Sequence, residues 1–122
     1  MILVIDDNPV QALTRKAILA GAGLEAETAH SADAAFAAIE RDGARAITLV
    51  ITDHIMPGES GCCFVKRLWE LRSGLPVMVL SGMAEAEDDY AGLDVTFRAK
   101  PIRPSELISL ATSLSLPKPL LT

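Results

Sequence analysis

The sequence predicts an α/β fold, a parallel sheet covered on both faces by helices. Three observations carry the prediction. Short apolar runs, several rich in β-branched residues, recur along the chain. Each is followed by a segment with helical capping residues or apolar spacing. The order β-α repeats five times, and that alternation is the pattern of a parallel sheet with crossover helices. Connections of a few residues fit it.

The first strand is Ile2 to Ile5, and its run of apolar residues is that of a strand buried on both faces. Asn8 is a good N-cap and Pro9 suits a first helical turn, so a helix starts there and runs to about Ala22, stopped by Gly23. Glu25 to Ala29 alternates like an edge strand. Ser31 caps a second helix, Ala32 to Arg41, ended by Gly43. Thr48 to Thr52 is β-branched and apolar, a buried strand. Ser60 caps a third helix to Leu71, with Phe64, Val65, Leu68 and Leu71 as its apolar stripe. Pro76 to Leu80 is another buried strand, Glu85 to Tyr90 leaves room for only a short fourth helix, and Val95 to Arg98 is a weaker last strand. Pro104 and Ser105 open a fifth helix through Leu107, Leu110 and Leu114, and Pro117 and Pro119 end it before a frayed tail.

The 122 residues suit one domain, residues 1–122, with no output domain. Half are hydrophobic and 4% aromatic, so the core is aliphatic. A net charge of −5 argues against direct nucleic-acid binding, which takes a basic face. No run approaches a membrane span and no signal peptide is present. Cys62 and Cys63 are neighbours, unsuited to a structural bridge, which points to the cytoplasm and to ordinary helix packing for both.

Chemistry is expected beyond the carboxyl ends of the strands, where open α/β sheets bind ligands. Asp6 and Asp7 follow the first strand, Asp53 the third, Ser81 the fourth and Lys100 the fifth. Two adjacent acids at about 4 Å repel by roughly 1 kcal/mol in water and roughly 4 kcal/mol near a protein surface, so such a group calls for a cation. Mg²⁺ takes one or two carboxylates, waters and phosphate oxygens. Asp53 ends a central strand ahead of a Pro/Gly loop and is the best nucleophile, since a carboxylate can form an aspartyl-phosphate. Lys100 would neutralise charge opposite the metal and Ser81 would hydrogen-bond a phosphoryl oxygen.

Val-Ile-Asp-Asp (4–7), Asp-His-Ile-Met-Pro-Gly (53–58), Leu-Ser-Gly (80–82) and Ala-Lys-Pro (99–101), in this order, resemble the receiver domain of two-component response regulators across nearly the whole chain. The resemblance implies a flavodoxin-like, three-layer (βα)5 doubly wound sheet of strand order 2-1-3-4-5. It implies that Asp53 accepts phosphate from a histidine kinase or histidine phosphotransfer protein. It also implies that Asp7 ligates Mg²⁺ directly, that Asp6 acts largely through water, and that the Ile55 carbonyl is a third metal contact. Ser81 and Lys100 then sense the phosphate, Phe97 is the switch aromatic, and the Lys100–Pro101 bond is cis. Phosphorylation would draw Ser81 inward and let Phe97 turn into the space behind it.

Three departures stand out. Phe97 lacks the hydroxyl of the Tyr in many relatives, and Ser81 replaces the commoner Thr. Ile55 and Met83, two residues after Asp53 and Ser81, are apolar and orient no water for dephosphorylation. The stretch from Ser81 to Lys100 is short for the family, so a dimer through that face is not expected and the chain should be a monomer. Such a chain could be a stand-alone regulator, a shuttle, a phosphate sink or a receiver excised from a hybrid kinase, acting on an unknown downstream protein. A phosphorylation-independent pseudo-receiver is the competing reading. An FMN binder would need a Ser/Thr/Gly-rich loop in place of Asp6-Asp7-Asn8-Pro9, and an aspartate-nucleophile phosphatase a second acid at Ile55. His30 and His54 are taken as surface histidines, Trp69 as packing, and Glu85, Glu87, Asp88 and Asp89 as a solvated face.

Overall fold

The computed structural model describes residues 1–42, 47–56, 59–72 and 74–115. Five parallel strands form the sheet: β1 (Ile2–Ile5), β2 (Ala26–Ala29), β3 (Leu49–Asp53), β6 (Val77–Ser81) and β7 (Thr96–Ala99), in the order β2-β1-β3-β6-β7. Counted along the chain, that is the 2-1-3-4-5 order. Among the described residues the α-helices are α1 (Pro9–Gly21), α2 (Ala32–Asp42), α3 (Gly61–Leu71) and α4 (Pro104–Ser115). Between β6 and β7 runs a 3₁₀ helix, Ala84–Tyr90, where the sequence left room for only a short turn of helix. A small antiparallel hairpin, β4 (Ile55–Met56) with β5 (Glu59–Ser60), fills what reads in the sequence as a plain Pro/Gly loop.

The caps are those the sequence supplies. Asn8 Oδ1 accepts the backbone N–H groups of Val10 and Gln11, Ser31 Oγ that of Ala34, and Ser60 Oγ that of Cys63. Each satisfies helix donors that otherwise have no partner. Gly23 closes the turn after α1 with φ of 82°, a conformation that favours glycine.

Strand alternation divides the core in two. Leu3 and Ile5 of β1, with Val50, Val77 and Val79, pack against α2 and against Phe64, Val65 and Leu68 of α3. Ile2 and Val4, with Leu49, Ile51, Met78 and Leu80, pack against Leu19 of α1 and against Leu107 and Ala111 of α4. The central strands β1, β3 and β6 are buried throughout, so their runs show no polar face. Burial at about 25 cal/mol per Å² makes these two interfaces the main source of stability. They also fix the register. Asp53 pairs with Leu80, and Ser81 with Ala99, so the carboxyl ends of three strands lie level.

Two sequence expectations are corrected. His54 is not a surface residue: it is 9% exposed, with its ring against Tyr90 of the 3₁₀ helix. Cys63 is exposed rather than packed, while Cys62 is half-buried against the core and its Sγ donates to the Asp89 carbonyl at 3.0 Å. Trp69 packs against the core, and its indole N–H donates to the Leu75 carbonyl at 2.9 Å. Gly43, Pro57, Gly58, Pro117 and Pro119 lie outside the described residues.

Candidate functional site

Asp6 and Asp7 leave the end of β1, and Asp53 is the last residue of β3, so the sheet order alone puts them side by side. A carboxylate oxygen from each lies within 4.8 Å of the others. Asp6 and Asp53 are 1% and 4% exposed, and Asp7 faces solvent. Lys100, just past β7, reaches across so that its Nζ stands 2.5 Å from Asp53 Oδ1. That oxygen is sealed from solvent and meets no hydrogen-bond geometry; its pairing with Lys100 is one of charge. A buried carboxylate oxygen without a directed donor, among three carboxylates of hard oxygen donors, suits Mg²⁺. These acids could hold such an ion.

Burial raises the pKa of Asp53 to about 6, and the neighbouring Asp6 adds to the rise against the opposing pull of Lys100. Asp6 shifts the other way. Burial pushes it up, but bonds from Asp53 and from the Asn8 N–H, with the charges of Arg15 and Lys100, outweigh burial and hold its carboxyl below the usual range. Environment thus separates the two acids, leaving Asp53 the more basic.

The other expected residues hold mixed positions. Ser81 is buried at the end of β6, but its hydroxyl is bonded in its own turn, accepting the Met83 N–H at 3.0 Å and facing the Met83 carbonyl at 3.3 Å. Phe97 is half-buried, with its ring 5.8 Å from that of Tyr90. The Lys100–Pro101 peptide is cis. Ile55 begins β4, two residues after Asp53. His30 is exposed, with Nδ1 3.2 Å from the Asp6 carbonyl.

Two residues of the site escaped sequence reasoning. Arg15 is 9% exposed, and its guanidinium lies 2.7 Å from Asp6 Oδ2 and 3.8 Å from Asp53 Oδ1. Val10 and Leu13 give α1 an apolar face of their own, so spacing alone does not single out the face that turns inward. With Ala12 and Leu19, Arg15 occupies the inward stripe of α1, where a basic residue is out of place unless paired. The second is Tyr90, the chain's one tyrosine, 3% exposed. Its hydroxyl lies 2.7 Å from His54 Nδ1, and His54 Nε2 lies 3.5 Å from the Asp89 carboxylate. Burial, with the nearby Cys62, Asp89 and Cys63, holds the phenol above its ordinary pKa, so the hydroxyl keeps its proton in its contact with His54. Replacing Tyr90 by Phe should cost about 1–2 kcal/mol, because a buried ring nitrogen loses its hydrogen-bond partner while the packing remains. Urea denaturation measures it; an unchanged midpoint would mean the bond contributes nothing.

Five parallel strands in this order, carrying acids and a lysine at their carboxyl edge, define a CheY-like α/β domain. The chain belongs to the response regulator receiver domain family, whose match spans residues 2–112. It is 30% identical over 119 residues to the transcriptional regulatory protein AruR of Pseudomonas aeruginosa, covering 93% of this chain and 48% of AruR. It is 32% identical over 123 residues to a 14.6 kDa protein of Leptolyngbya boryana, covering 97% and 92%. The structure of a response regulator receiver protein from Pseudomonas putida superposes with a TM-score of 0.81 at 29% identity, covering 92% of this chain and 94% of that one. The chain thus spans about half the length of AruR and nearly all of the other two. Among the described residues no helix is long and apolar enough to cross a membrane.

Proposed function

We propose that this receiver domain takes a phosphoryl group from a phosphohistidine onto Asp53. The observation that carries the reading is the pocket itself: three carboxylates within 4.8 Å at the strand ends, with Lys100 held on the central one. A carboxylate oxygen of Asp53 attacks phosphorus, the P–N bond breaks, and its electron pair returns to the imidazole nitrogen of the donor. Asp53 is the suitable nucleophile because it is the more basic of the two buried acids. Lys100 neutralises charge on the phosphoryl oxygens from the β7 side. Mg²⁺, when held by Asp6, Asp7, Asp53 and the Ile55 carbonyl, supplies positive charge against the developing negative charge.

The docking surface for a histidine kinase or histidine phosphotransfer protein is supported by a groove of about 430 Å³ beside the pocket. Val10, Gln11, Thr14 and Ile18 of α1 line one side, and Pro101, Ile102 and Leu107 the other. Val10 and Leu13, 72% and 57% exposed, add apolar surface for a partner. The output is a changed face formed by the 3₁₀ helix, β7 and α4, reached through Ser81 and Phe97 and read by a downstream protein. In this reading the domain acts in the cytoplasm as a monomer, and the catalysis it performs is of its own phosphorylation and dephosphorylation. Met83 is 43% exposed and apolar, so it gives little help to water attacking the aspartyl-phosphate.

Intact mass after incubation with Mg²⁺ and acetyl phosphate tests the chemistry. The parent should gain one phosphoryl group and Asp53→Asn none. No gain in the parent, with binding partners still captured, would favour a phosphorylation-independent module instead.

A further inference from the structure

We infer that Arg15 is a resident counter-cation of the acid pocket, one that a divalent ion must displace from Asp6. The inference rests on the reading of the pocket as a metal site and adds a competitor inside it. Ala12 and Leu19, its neighbours on the inward stripe of α1, are fully buried, and Arg15 shares their face. A guanidinium cannot shed its proton to lower the cost of burial, so it persists there only with a partner. The partner is Asp6. Its Oδ2 meets Arg15 at 2.7 Å while its Oδ1 accepts the Asn8 N–H at 2.9 Å, so both oxygens are engaged by the protein itself.

Charge shows what the contact does. Among the described residues, Asp6, Asp7 and Asp53 together face Lys100 and Arg15, and without Arg15 they would share Lys100 alone. Arg15 therefore does for the metal-free pocket part of what Mg²⁺ does for the loaded one. Metal binding becomes an exchange: Asp6 gives up the guanidinium to face the ion, or the ion binds with a positive group beside it. Both routes weaken apparent affinity, the first through the fraction of protein in which Asp6 is free and the second through like-charge repulsion. The opposite role, in which Arg15 holds Asp6 in a ligating pose, predicts the opposite sign.

The test is calorimetric titration of Mg²⁺ into the unphosphorylated, EDTA-stripped chain, comparing the parent with Arg15→Met and Arg15→Lys. Met keeps the apolar stem and removes the charge. Arg15→Met should bind Mg²⁺ about tenfold more tightly, or about 1.4 kcal/mol, with Arg15→Lys between it and the parent. Its metal-free melting temperature should fall, and saturating Mg²⁺ should raise that temperature further than it raises the parent's. Equal or weaker binding by Arg15→Met would overturn the inference and leave the metal site standing. Binding by neither would overturn both. If Arg15→Met does not fold, the Arg15 Nε–Hε resonance of the parent serves: it should shift as Mg²⁺ is added, and an unmoved resonance in a protein that binds the ion would overturn the displacement.

Discussion

Replacing Asp53 by Asn should stabilise the metal-free protein at neutral pH by about 3 kcal/mol. Burial and the adjacent Asp6 raise the Asp53 pKa from 3.8 to about 6, so the folded chain holds that proton more tightly than the unfolded chain. The stabilisation this group gives is complete below pH 3.8 and is lost as pH climbs through 6. Each pKa unit is about 1.4 kcal/mol, which makes the loss about 3 kcal/mol. Asparagine does not ionise and escapes it, and it leaves Asp6 and Asp7 balanced by Lys100 and Arg15. Denaturation in urea with EDTA, repeated from pH 4 to pH 8, should show the variant's advantage growing between pH 4 and 6 and level above. Saturating Mg²⁺ should shrink it, because the ion offsets the charge that asparagine lacks. An advantage independent of pH would mean that the Asp53 charge costs the fold nothing.

Gly61→Ala should destabilise the protein by about 3 kcal/mol, the upper end of what one added methyl costs in a close-packed interior. Gly61 begins α3 and donates its N–H to the His54 carbonyl at 2.6 Å. A Cβ there would overlap the Tyr90 hydroxyl and stand 2.9 Å from the Asp53 carbonyl and 3.1 Å from His54 Cα. The hydroxyl can be removed; the other two neighbours are backbone of the strand end that carries Asp53. In a Tyr90→Phe background the cost of Gly61→Ala should drop by about 1 kcal/mol and no more, since relief comes only from the lost hydroxyl. The alanine variant should also phosphorylate more slowly, as Asp53 shifts from its place beside Lys100. Urea midpoints and the rate of mass gain measure the two effects; a cost below 1 kcal/mol would mean that the strand end yields.

Much of the fold was legible because local chemistry and global topology agree. Asn8-Pro9, Ser31 and Ser60 start helices by satisfying orphan N–H groups within three residues, which is a property of sequence alone. The runs at 2–5, 48–52 and 76–80 are almost wholly apolar or β-branched, so they read as strands buried on both faces, and the strands they form are buried throughout. The hairpin at 55–60 was not legible, since two-residue strands carry no period. His54 was misread because one histidine between a strand and a Pro/Gly loop has no local mark of burial; the cover comes from Tyr90, 36 residues later.

The order of the elements, and the carboxylates and lysine that close the strands, were thus determined by the sequence. Hydrophobic period and capping are short-range, and strand ends must meet once a parallel sheet forms. That Arg15 joins Lys100 against those acids was decided only in three dimensions. Arg15 lies one helix away from Asp6, and whether it points to solvent or into the pocket depends on how α1 packs on the sheet, a matter of contacts between Leu19 and strands distant in the chain. The same holds for Tyr90 and His54. A long side chain's partner is chosen by packing, because burial leaves a charge or a hydroxyl no alternative to whatever group the fold has brought within reach.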